Sequence, residues 1–206
     1  MRAAKRLMDL VFAAVALILL FPLLAAIALL VWLTSPGPVL FRQARLGLEG
    51  RPFQLLKFRT MVHPAPDLRN ADGSTYSGRD DPRVTPLGRL LRATSLDELP
   101  QLWNVLRGEM SLVGPRPDQV DQLQYYSRAD LEKLRVRPGI TGLAQISGRN
   151  AIPWEVRRRL DCAYASNWNL WLDLKILAKT VPYVILRKGI HHDPLPAQPV
   201  ANSSAK

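Results

Sequence analysis

Cysteine is nearly absent: Cys162 is the only one in 206 residues. No internal disulfide can form, metal sites built on cysteine pairs are excluded, and a reducing compartment is the default. Histidine is almost as scarce. His63, His191 and His192 are too few and too peripheral to anchor a catalytic triad. The chain has no Gly-x-Ser-x-Gly elbow, no Walker A loop, no Gly-x-Gly-x-x-Gly and no His-Glu-x-x-His, so nucleophilic chemistry is left to a carboxylate. Acid is in deficit too, with 17 Asp and Glu against 28 Lys and Arg, a net charge of +11. Nucleic acid, anionic lipid or a phosphate-rich substrate could each balance it. The bases are spread along the chain, and no RNP, zinc-finger or basic-zipper pattern occurs. No nucleic-acid partner is therefore expected.

Residues 10–33 contain no charge at all. The run is too long for a signal-peptide core and lacks an Ala-x-Ala cleavage site. As a helix it would reach about 36 Å, enough to cross a bilayer. Two features favour a re-entrant helix over a spanning one. Pro22 sits mid-run, where it removes a helical hydrogen bond and leaves two arms of about 18 Å, each suited to one leaflet. Basic residues flank both ends: Arg2, Lys5 and Arg6 before, Arg42, Arg45 and Arg51 after. The positive-inside rule then places both ends in the cytoplasm.

Ser35-Pro36-Gly37-Pro38 closes the apolar run. Residues 39–43 and 53–58 read as two short strands, and Gly47 and Gly50 punctuate a β-hairpin between them. Residues 63–83, rich in Pro, Gly and polar side chains, read as a long mobile loop. Asp67, Asn70 and Asp72 within it have the wrong spacing for an EF-hand and are taken as solvated. Helices are expected over 99–106, 119–136, 155–166 and 170–186. Arg157, Arg158 and Arg159 read as a solvated helix face. The helix over 170–186 carries Asp173, Lys175 and Lys179, which argues against a span. It is either interfacial and amphipathic or part of a soluble core. Residues 191–206 form a Pro, Ala and Ser tail that is expected to be disordered.

Asp97 and Glu98 are the best candidates for chemistry. Two readings compete on spacing alone. Ser95 and Glu98 fit a capping box, with both acids serving a helix dipole. Alternatively Asp97, kept ionised at the helix end, is a carboxylate nucleophile. Downstream, Arg116 lies between Pro115 and Pro117, which stiffen the base of a side chain suited to phosphate, unless the segment is a plain turn. Gly139, Gly142 and Gly148 permit tight turns and close approach to a ligand.

Four strings in order carry a resemblance: Lys57-Phe58-Arg59-Thr60-Met61, Leu96-Asp97-Glu98-Leu99, Gly114-Pro115-Arg116-Pro117 and Arg137-Pro138-Gly139-Ile140-Thr141-Gly142. Asp161 and Asp173-Leu174-Lys175 fit as well. Over residues 1 to about 190 the chain resembles the bacterial sugar transferase family, in its minimal, monotopic form. The resemblance implies that Asp97 attacks the β-phosphate of a UDP-sugar and expels UMP. Polyprenyl phosphate then takes the phosphosugar from Asp97. Glu98 is implied as the second catalytic acid, which helps activate the lipid phosphate. Lys57, Arg92, Arg116 and Arg149 are implied to surround the phosphates, and Mg²⁺ to be held by Asp97 and the diphosphate. One departure is Phe21-Pro22, where the family usually has Ser-Pro. Phenylalanine cannot bond the carbonyl that proline leaves free, so a bend there needs other partners.

The expected fold is α+β and mainly α, with a re-entrant membrane helix, one β-hairpin and several amphipathic interfacial helices. Its parts are a basic flank and membrane helix (1–34), a catalytic domain at the membrane surface (35–190) and the tail (191–206). The expected location is the cytoplasmic face of a bacterial inner membrane, with membrane lipids, UDP-sugar and polyprenyl phosphate as partners. Two other readings remain: a non-catalytic membrane adaptor, and a transferase working through a ternary complex without a covalent step. The sequence does not assign an oligomeric state.

Overall fold

Apolar composition decides the first element. Arg2–Thr34 forms α1, a 33-residue helix that continues through Pro22, about 50 Å if straight. The structure, a computed structural model, describes residues 2–70, 72–78 and 80–186; the tail expected at 191–206 lies outside them. The two halves of α1 are buried in different places. Ala13 joins Leu55, Leu102, Val105 and Met110 in one core cluster. Ile27 and Val31 join Phe58 and Leu91 in a second. Between these anchor points Ile18, Leu19 and Phe21 are 73%, 72% and 68% exposed.

Polar contacts fix the first half more firmly. Buried Asp9 accepts a hydrogen bond from the Leu112 amide at 3.1 Å. Lys5 pairs with buried Asp173 at 2.6 Å. Arg6 donates to the carbonyls of Val105 and Leu106, at the helix end where a cation is favoured. The basic flank thus has a structural role.

The hairpin is present, longer than expected. β1 (Leu40–Leu46) and β2 (Pro52–Phe58) pair antiparallel, with Leu40 opposite Phe58 and Leu46 opposite Pro52. The described residues of 63–83 contain no regular helix or strand, yet they are tied internally. Buried Arg83 grips Asp81 and reaches the carbonyls of Pro66 and Tyr76. Next come α2 (Pro86–Thr94), with Thr85 accepting from the Gly88 amide, and α3 (Gln101–Arg107).

A parallel pair was not anticipated. β3 (Ser111–Val113) lies beside β4 (Gly139–Thr141). This corrects the reading of Gly139 and Gly142 as ligand-facing. A Cβ at Gly139 would stand 2.0 Å from the Gly114 amide nitrogen, and one at Gly142 would stand 2.1 Å from the Gly114 carbonyl. Their close approach is to backbone. The single helix expected over 119–136 is also replaced, by two 3-10 segments, Val120–Tyr125 and Asp130–Arg135. Tyr126 between them is extended, and the Ser127 amide and hydroxyl both donate to the Asp130 carboxylate, a local alternative to helical bonding.

Two helices complete the described chain, α4 (Trp154–Asn167) and α5 (Leu170–Ile185). The Asn169 side chain caps α5, and Pro182 does not end it. Asp173 and Ile176 face the core, while Trp171, Leu174, Val181 and Ile185 are exposed. The helix therefore has a core side and an unburied apolar side.

Candidate active site

Six expected residues meet around one cavity of 1120 Å³. β2 brings Lys57, the last turn of α2 brings Arg92, and the loop after β3 brings Arg116. Asp97 and Glu98 lie on a short 3-10 turn, Leu96–Glu98, before α3. Arg149 enters on another such turn with a positive φ of 53°. Ten Lys and Arg line the cavity against four Asp and Glu, so its field suits a polyanion.

The two acids are treated differently. Glu98 Oε1 lies 2.6 Å from Lys57 Nζ and 3.2 Å from an Arg116 guanidinium nitrogen. Asp97, only 7% exposed, has Lys57 Nζ at 3.9 Å. Neither of its carboxylate oxygens accepts a hydrogen bond from any described residue. The capping-box alternative does not form. Ser95 is left-handed (φ 58°, ψ 16°) and makes no side-chain cap. Its hydroxyl instead accepts from Arg149 at 2.9 Å. Arg92 donates to the Thr60 hydroxyl at 2.9 Å.

Charge follows from this geometry. Burial, and next to it the repulsion of Glu98, raises the Asp97 carboxyl above the usual range, against the pull of Lys57, Arg92 and Arg116. The direction is opposite to the one a helix end would give. Burial would raise Glu98 too, but Lys57 and Arg116 outweigh it and hold that carboxyl far below the usual range. Burial lowers Lys57, with Glu98 opposing.

Among the described residues no group of three or more His, Cys, Asp or Glu is placed to hold a metal. An oxygen-preferring ion would have Asp97 from the protein and phosphate oxygens and water for the rest. Mg²⁺ accepts such a set, so the residues fit an ion shared with a phosphate substrate.

The family model for bacterial sugar transferase matches residues 1–187. The chain belongs to that family. Exopolysaccharide production protein ExoY of Rhizobium meliloti is 45% identical over 197 residues, covering 90% of this chain and 87% of the relative. A UDP-glucose:undecaprenyl-phosphate glucose-1-phosphate transferase of Caulobacter vibrioides is 49% identical over 191 residues, 88% and 69% of the two chains. A protein of the same description from Escherichia coli is 44% identical over 188 residues, 87% and 40%. The chain is thus an enzyme, of the phosphoglycosyl transferase class.

The sugar transferase also holds groups that sequence reasoning missed. Lys133 is buried between Asp118 at 2.9 Å and Asp161 at 2.7 Å. Tyr126 donates to Asp118 at 2.6 Å, and the Arg116 amide donates to Asp161 at 3.4 Å. This cluster seats the Arg116 loop. Asp161 came into view by resemblance; nothing local marks Lys133. The solvated reading of the three arginines holds only for Arg159, which is 74% exposed. Arg158 lies 4.4 Å over the Trp154 ring and bonds the Tyr125 carbonyl. Arg157 lines the cavity, as does Arg45.

Proposed function

We propose that this transferase moves a sugar-1-phosphate from a UDP-sugar to polyprenyl phosphate, with Asp97 as covalent carrier. The observation that carries the reading is the contrast within the acid pair. Asp97 is a buried carboxylate without a hydrogen bond among the described residues, in a cavity lined by cations, while its neighbour is already engaged. An unengaged, desolvated carboxylate is a competent nucleophile.

An Asp97 oxygen attacks the β-phosphorus and the bond to the α-phosphate oxygen breaks. UMP leaves with the electron pair, and an acyl phosphate remains. An oxygen of polyprenyl phosphate then attacks that phosphorus, and the bond to Asp97 breaks, restoring the carboxylate. No net proton is exchanged. Lys57, Arg92, Arg116 and Arg149 neutralise phosphate charge and orient the donor. Glu98, held as an anion, fixes Lys57 and Arg116; a carboxylate that weakly basic is a poor proton acceptor. The lipid phosphate, with a second pKa of about 6, is largely ionised without it. Magnesium, held by Asp97 and the donor diphosphate, would supply further charge neutralisation. Excess chelator is then expected to stop turnover.

Purified protein given UDP-sugars without acceptor is expected to release up to one equivalent of UMP and to gain the mass of one phosphosugar on the peptide carrying Asp97. An adduct on Glu98 overturns the assignment. Normal lipid product with no trappable adduct favours a ternary complex, and no UMP from any UDP-sugar leaves the adaptor.

The enzyme sits, in this reading, on the cytoplasmic face of the bacterial inner membrane, with α1 re-entrant about Pro22. Supporting this, both halves of α1 pack on the rest of the chain while the segment between them exposes apolar side chains. With Cys162 replaced by serine, single cysteines at the exposed Ala3 and Ala44 are both expected to resist periplasmic labelling of intact cells. Labelling at either position sinks this topology.

A further inference from the structure

Arg116 stands between two groups of charge. Glu98 and Asp97 act on it from one, Asp118 from the other. In that second group lie Arg45, from β1, and Arg157, from α4. Both line the cavity, and the charges that most affect each are Arg116 and Asp118. Arg45 donates to the carbonyl of Pro117, next to Arg116, at 3.2 Å. Arg157 donates to the Asn150 amide oxygen at 3.3 Å, next to Arg149.

These cations are under-compensated. The buried Nε of Arg45 and that of Arg157 have no acceptor. The shared carboxylate, Asp118, is already committed to Lys133 and Tyr126. Burial pulls the Arg45 guanidinium down to about 10. Neither Arg45 nor Arg157 makes an ion pair among the described residues, and Arg116 already has Glu98, so positive charge is left here that a further anion would balance.

We infer that Arg45 and Arg157, with Arg116, form a subsite for one phosphate monoester, occupied by the phosphate of UMP as it leaves and by polyprenyl phosphate as it enters. The inference rests on the two-step reading above. In phosphoryl transfer the attacking and leaving oxygens lie roughly in line through phosphorus. In the first step Asp97 attacks and UMP departs opposite it. In the second step Asp97 is the leaving group, so the lipid phosphate must enter opposite it. The place that UMP vacates is the place the acceptor needs. One anion subsite serves both steps, and the two ligands exclude each other.

Direct binding tests this without turnover. Wild-type protein in micelles is titrated with UMP in the presence and absence of a water-soluble short-chain prenyl phosphate. Each ligand is expected to raise the apparent Kd of the other in proportion to its concentration. Arg157→Lys and Arg45→Lys keep the charge but lose the planar fork. Each is expected to weaken both ligands by the same factor, about tenfold, or ~1.4 kcal/mol. Arg159→Ala leaves both unchanged. If Arg45→Lys fails to fold, Arg157→Lys carries the test alone. UMP and prenyl phosphate bound together, or a lysine variant that weakens only one of them or neither, overturns the proposal. An Asp97 adduct together with simultaneous binding sinks the subsite and spares the two-step reading. No adduct, with exclusive and Arg157-dependent binding, does the reverse.

Discussion

Two buried ionic clusters share one wall of the enzyme and differ in how completely they are closed. In the first, Lys133 bridges Asp118 and Asp161, and every carboxylate oxygen has a donor: Trp154, Tyr126, the Arg116 amide or Lys133 itself. In the second, Glu98 is engaged by Lys57 and Arg116, while Asp97 is buried without a hydrogen bond from the described residues. The ingredients are alike. The closed cluster has no capacity left for a ligand and serves to position. The open one keeps an unspent carboxylate and can react. Arg116 joins them, its backbone in the first cluster and its side chain in the second.

The comparison breaks most visibly if the two clusters are disrupted in turn. Asp97→Asn is expected to bring UMP release to background while the protein melts no lower than wild type, because burial already disfavours this charge. Lys133→Met is expected to do the opposite to stability. It strands Asp118 and Asp161 at buried positions and should cost about 3–5 kcal/mol, read as a lower melting temperature. An Asp97→Asn protein that unfolds, or a Lys133→Met protein that melts normally, removes the distinction.

A smaller effect sharpens the role of the linking arginine. Arg116→Ala is expected to lower turnover about a hundredfold, since charged hydrogen bonds strengthened in the transition state are worth a few kcal/mol. Arg159→Ala, an exposed partner of Glu155, should change it less than about twofold. Equal losses in the two variants would take Arg116 out of the site.

The smallest effect is on pH dependence. As the proposed nucleophile Asp97 must be ionised, and its carboxyl is raised in the folded enzyme. The acid limb of kcat/KM should therefore lie above the ordinary aspartate value of about 3.9. Lys57 favours the anion and Glu98 opposes it. Lys57→Met is expected to move the limb to higher pH and Glu98→Gln to lower pH. Shifts of the reverse sign would mean that another group controls the limb.

The sequence revealed what is local. The hairpin was legible because Gly47 and Gly50 punctuate two β-rich runs, and both turns of chain are tight there. The helix at 99–106 was legible from its apolar face and appears as Gln101–Arg107. What pairs across distance was not. β3 and β4 are three residues each and lie far apart in the chain, too short for any periodicity to show. The helix read over 119–136 failed because Ser127 and Asp130 offer the backbone a turn that composition does not distinguish from a helix. The four cations and both acids that the resemblance implied do line one cavity. Lys133, Arg45 and Arg157 escaped, since surface and buried cations look identical in a one-dimensional string.

The long apolar helix α1 is also part of the protein's interior. Ala13 fills a position beside Leu102 and Met110, and Ile27 and Val31 cover Phe58 and Leu91. Phe58 directly follows Lys57, and Leu91 precedes Arg92. Cutting the chain after residue 34 would strip apolar cover from behind two of the cavity-lining cations. A detached, water-soluble catalyst is therefore not to be had by trimming this protein. Solubility would have to be designed into the outward side of the helix, with its inward side left as it is.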